Sequence, residues 1–164
     1  MTMRHLRYSL WLPLALTASA AAAQGPAPAG STPAMVCTTP ADFSTTQLFG
    51  LWQLSLWPEG GSAEQPYGTG ALLFERHPEY AGSVRGRLKR STQGNDRQAL
   101  VSGDVTDGAF NLDESADGVT MDAVWEGSPM DCGREIRGLR RPAEGNAAVE
   151  PAMNFLLRKA PGWR

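Results

Sequence analysis

Histidine and cysteine are scarce in this 164-residue chain, which has two of each: His5, His77, Cys37 and Cys132. That scarcity excludes most catalytic and metal-binding constellations. His5 lies in a leader-like amino terminus, so a Ser-His-Asp or Cys-His arrangement would have to use His77, which stands in a His77-Pro78 turn. One histidine and a cysteine pair fall short of the usual three or four ligands of a zinc site. No glycine loop is followed by Lys-Ser/Thr, so a phosphate cradle is lacking. Carboxylate pairs exist (Asp113/Glu114 and Asp122/Glu126), yet nothing in the sequence singles one out for acid–base work. Asp113-x-Ser115-x-Asp117-Gly118 begins like a calcium loop, but Val124 stands where the bidentate Glu belongs. A polar hairpin turn is the simpler reading. The expectation is a non-enzyme with no catalytic residue, no metal and no cofactor.

A basic excess is lacking too. The chain carries 15 Lys and Arg against 17 Asp and Glu, a formal net charge of −2. That balance argues against a nucleic-acid partner held through phosphates and gives no global attraction to a membrane surface. Long apolar runs are also few. The run from Tyr8 to Leu16 is shorter than the roughly 20 residues of a membrane span. With Arg4, His5 and Arg7 before it and an Ala-rich stretch to Ala23 after it, the segment reads as a secretory signal peptide over residues 1–23. Removing Arg4 and Arg7 with it takes the net charge from −2 to −4. The expected destination is the periplasm or the cell exterior, without stable membrane insertion. Export makes a Cys37–Cys132 disulfide the default reading. Residues 24–35, rich in Pro, Gly and Ala, read as a disordered linker. Residues 36–164 make a single domain.

What the domain does have is short apolar alternation broken by turn residues. In Gly50–Trp57, Gly50, Trp52, Leu54 and Leu56 share one face, and Leu51 and Trp57, with Phe49 just before the run, share the other. Val84, Gly86 and Leu88 oppose Arg85, Arg87 and Lys89. Asp107-Gly108 between two alternating runs is a strong hairpin signal. Val119, Met121, Ala123 and Trp125 alternate in a further run, and Met153, Phe155 and Leu157 in a last one. Strand glycines (Gly70, Gly86, Gly103, Gly138) suit strands that coil sharply. The pattern predicts an all-β fold: an antiparallel up-and-down meander closed into a small eight-stranded barrel with one disulfide.

Gly50-Leu51-Trp52 at the head of the first strand, a glycine-rich loop and the meander resemble the calycin barrels, which include lipocalins, fatty-acid-binding proteins and avidins. They are also similar in shape to the small secreted bacterial metalloprotease inhibitors. The resemblance implies structural roles for Gly50 and for a basic residue near the last strand that packs on Trp52, for which Arg158 is the nearest counterpart. The second lipocalin motif, the helix after the barrel and the biotin-holding polar set have no counterpart here. The resemblance implies a binding protein: a small apolar ligand inside the barrel, with Trp52, Leu54, Phe74, Phe110, Trp125 and Phe155 as lining residues. The same side chains can equally fill so small a barrel. The alternative is a protein-partner or inhibitor module. It would use the amino-terminal tail, as in those inhibitors, or the second apolar face of the first strand, Phe49, Leu51 and Trp57. That face also admits a homo-oligomer. Two basic groups, Arg85/Arg87/Lys89/Arg90 and Arg134/Arg137/Arg140/Arg141, read as solvated outer faces or as a patch for an acidic partner.

Overall fold

The computed structural model describes residues 37–144 and 150–162; the expected signal peptide and linker lie outside the described residues. Among the described residues no helix is long and apolar enough to cross a membrane. The strands are β1 (Gly50–Trp57), β2 (Gly68–Arg76), β3 (Val84–Thr92), β4 (Asn95–Thr106), β5 (Ala109–Ser115), β6 (Ala123–Met130), β7 (Glu135–Pro142) and β8 (Met153–Lys159). Each pairs antiparallel with the next, and β8 returns to β1, closing an eight-stranded barrel. Short 3-10 turns at Pro40–Asp42, Thr45–Leu48 and Asp131–Gly133 lie at one end.

The alternation in sequence becomes inside and outside. In β1, Trp52, Leu54 and Leu56 are buried while Gln53 is exposed. The β4–β5 hairpin turns on Asp107-Gly108 with φ of 51° and 77°, the left-handed pair that a two-residue turn requires. Gln93-Gly94, at 51° and 79°, makes the β3–β4 turn in the same way. Glycines inside strands answer to close backbone approach: a Cβ on Gly138 would lie 1.9 Å from the Glu126 carbonyl oxygen, and one on Gly103 2.0 Å from that of Asn111. The Cys37–Cys132 disulfide ties the segment before β1 to the turn between β6 and β7.

Two expectations need correction. The run beginning at Val119 is not strand before Ala123, and Val119 is 90% exposed. The Asp117 carboxylate accepts the backbone N–H groups of Val119 and Thr120, at 2.8 and 2.7 Å, which bends the chain away from the sheet. The two basic groups are also split. Arg90 and Arg140 point into the barrel, 3% and 2% exposed, while Arg85, Arg87, Lys89, Arg134, Arg137 and Arg141 stay outside.

Candidate functional site

The barrel interior has three zones along its axis. At the end where β1 begins, the floor, Trp52 gives its Nε1–H to the Leu48 carbonyl at 2.6 Å. Leu48 and Phe43, from the 37–49 segment, are buried with it. Gly50 has φ 109°, which lets the chain turn from that segment into β1. The cation over Trp52 is Lys159, its cross-strand partner, with Nζ 5.3 Å from the ring centroid. The expected Arg158 is one position off: it is exposed and donates from Nε to Glu135 at 2.8 Å. Successive strand residues point to opposite faces, so only one of the pair can enter the barrel. Lys159 also donates to the Gln47 carbonyl, and burial pulls its pKa below the usual lysine value.

The six residues expected to line a ligand site run from Trp52 at the floor through the middle zone to Trp125 near the mouth. Trp52, Leu54, Phe74, Phe110, Trp125 and Phe155 are all buried in one core cluster. Phe74 meets Phe110 edge-on at 6.4 Å, Phe110 meets Phe155 at 6.0 Å, and Phe155 meets Trp125 at 5.1 Å between centroids. Such separations are those of aromatic rings in direct contact.

The third zone, the mouth, is ionic. Arg90 on β3, Glu114 on β5 and Arg140 on β7 continue the inward-facing parity of Leu88, Leu112 and Ile136 on their strands. Glu114 accepts Arg140 Nε at 2.7 Å on one oxygen and Nη2 at 3.2 Å on the other, a bidentate pair. It also accepts Trp125 Nε1 at 3.0 Å and Arg90 Nη2 at 3.4 Å. Arg140 lies across from Trp125 in the sheet, its guanidinium carbon 5.8 Å from the ring centroid. Glu150, from the segment before β8, brings a second carboxylate; Arg90 Nη2 reaches both of its oxygens, at 3.0 and 2.9 Å. Arg140 Nη1 and Arg97 Nη1 lie 2.9 and 3.3 Å from Glu150 oxygens. Burial would raise the Glu150 pKa, but Arg140, Arg90 and Arg97 outweigh it and hold the carboxyl below its usual value. Burial likewise opposes the charge of Arg140, and Glu114 and Glu150 overcome that and raise its pKa. A cavity of about 150 Å³ opens among these groups, bordered also by Gln98, Ala116 and Asp122.

Outside the barrel, Leu51 and Trp57 are half-buried; Phe49, just before β1, is half-buried too and packs against the core cluster. His77 is held in its turn, with Nδ1 accepting the backbone N–H groups of Glu79 and Tyr80 at 3.2 and 3.1 Å. Asp117, the centre of the calcium-like stretch, has its carboxyl well below the usual value because the N–H groups of Thr120 and Val119 and the Thr120 hydroxyl donate to it. The turn itself uses those oxygens. No family model matches the chain, and no curated protein matches it in sequence.

Proposed function

We propose that this is an exported, non-catalytic binding module whose partner is a protein held outside the barrel. The observation that carries the reading is the state of the middle zone. A carrier of a small apolar ligand needs an open apolar cavity among Trp52, Leu54, Phe74, Phe110, Trp125 and Phe155. Those side chains instead pack on one another, with at most 2% exposure. The candidate binding elements are therefore the amino-terminal tail, residues 24–35, and the outer face of Phe49, Leu51 and Trp57. Two observations favour a non-catalytic role: both cysteines are joined in a disulfide, and the His77 nitrogen that would accept a proton is occupied by its own turn.

The test pairs native mass spectrometry with inhibition assays against secreted metalloproteases. The expected results are a mature chain without a co-purified small molecule, and inhibition that disappears on deletion of residues 24–35 while the melting temperature holds. Loss of inhibition on Trp57→Ala instead moves the contact to the face of β1. A stoichiometric apolar molecule released from the purified protein would return the function to the barrel interior.

A further inference from the structure

The mouth cluster holds more donor capacity than its carboxylates use. A guanidinium presents a planar fork that matches the two oxygens of a carboxylate or phosphate. Arg140 fills its Nε–Nη2 fork on Glu114. Arg90 does not: its Nη2 contacts both oxygens of Glu150 and one of Glu114, while its buried Nε has no hydrogen-bond partner among the described residues. Arg140 Nη1, also buried, meets Glu150 Oε2 at 2.9 Å as an ion pair without full hydrogen-bond geometry. A buried N–H without an acceptor costs about 1–3 kcal/mol, so the Arg90 Nε calls for an explanation. Glu150 is thus an incomplete occupant. With its carboxylate turned aside, Arg90, Arg97 and Arg140 face only Glu114 and Asp122 across the cavity, an excess of one positive charge.

We propose that the mouth of the barrel is a binding site for a small oxyanion, a carboxylate or a phosphate, gripped by the Nε–Nη2 fork of Arg90 in competition with the Glu150 side chain. The cavity of about 150 Å³ accommodates an ion of acetate or phosphate size and no long acyl chain. The site is independent of how the outer face and tail are used. It makes Glu150 an internal competitor: tethered carboxylates act at effective concentrations of order millimolar and weaken an external rival accordingly.

The experiment follows the Arg90 side-chain Nε–Hε resonance of the mature protein by ¹H–¹⁵N NMR. Sodium acetate and inorganic phosphate are titrated separately, with sodium chloride at matched ionic strength as the control. The expected result is a saturable shift with one or both oxyanions and none with chloride, the stronger of the two naming the ligand class. Glu150→Gln, which keeps the shape and removes the charge, should tighten binding about tenfold. Arg90→Lys should abolish it while the fold, read from the backbone spectrum, persists. If the resonance stays fixed to 50 mM of both oxyanions (a concentration about fiftyfold above the millimolar scale of the tether) in wild type and in Glu150→Gln, the cluster is a structural plug and the proposal falls. A shift that chloride reproduces would also overturn it.

Discussion

The floor and the mouth of the barrel are closed by the same pair of groups set in opposite surroundings. Each has an indole whose N–H is hydrogen-bonded and whose ring carries a cation from the neighbouring strand: Trp52 with Lys159, Trp125 with Arg140. At the floor the N–H acceptor is a backbone carbonyl, and apolar Phe43 and Leu48 complete the seal. At the mouth the acceptor is the Glu114 carboxylate, which is itself shared by two buried arginines. Damage at the floor therefore leaves a void, whereas damage at the mouth leaves a buried charge unpaired. The two failures differ in size and in their response to pH.

The largest effect belongs to Glu114→Ala. It strips Arg90, Arg140 and Trp125 of a common acceptor at once, and breaking a buried ion pair costs about 3–5 kcal/mol. Urea unfolding should show the midpoint drop accordingly. A loss under about 1 kcal/mol would mean that water reaches the mouth freely and that the contrast with the floor is one of geometry alone.

Replacing Cys37 and Cys132 together by Ala tests the floor. The bond spans 95 residues in sequence, and loss of a native disulfide costs about 2–4 kcal/mol. Because it anchors the segment carrying Phe43 and Leu48, hydrogen exchange should quicken at the floor, with the Arg140 Nε and Trp125 Nε1 protons at the mouth still protected. Equal loosening at both ends would show that the barrel opens as one unit.

Acid and base should separate the two ends. Glu150 has a pKa depressed below its usual 4.5, so its contribution to stability is full above that value and is lost as pH falls through the lower, folded value. One such proton supplies a slope of at most about 1.4 kcal/mol per pH unit. Lys159 is depressed below its usual 10.5 by burial, so between its folded and usual values the unfolded chain binds more protons, and stability rises with pH there. The check is a series of urea midpoints, with Glu150→Gln flattening the acid limb alone and Lys159→Met the alkaline limb alone.

The barrel was legible because its strands keep strict period-two patterns between strong turns. Asp107-Gly108 located a hairpin, and the parity of Trp52, Leu54 and Leu56 located the interior face. The mouth is written in the same code, but there charge, which ordinarily signals exposure, masks the parity. Arg90 continues Val84-Gly86-Leu88, Glu114 continues Phe110-Leu112, and Arg140 continues Ile136-Gly138, each at the next inward step of its strand. Parity was the stronger signal, since flipping one residue outward would flip its strand. Glu150 had no such signal. It lies before β8, outside any alternating run, and only the folded chain brings it to Arg90.

The smallest effect sharpens the same lesson at the floor, where Arg158 and Lys159 are neighbours of like charge on opposite faces. Lys159 holds its ammonium over the Trp52 ring and donates to Gln47, so Lys159→Ala should cost about 1 kcal/mol through a lost cation–π contact and a carbonyl left without its donor. Lys159→Met keeps a long apolar side chain beside Trp52 and sheds an ammonium that burial disfavours, but it too leaves the Gln47 carbonyl without its donor. Its cost should therefore fall between wild type and Lys159→Ala at neutral pH. Arg158→Ala removes an exposed pair with Glu135 and should leave the thermal midpoint unmoved. If Arg158→Ala proved the more damaging, cover over Trp52 would count for less than the outer charge row of β7 and β8. The floor would then be held, like the mouth, by its ions.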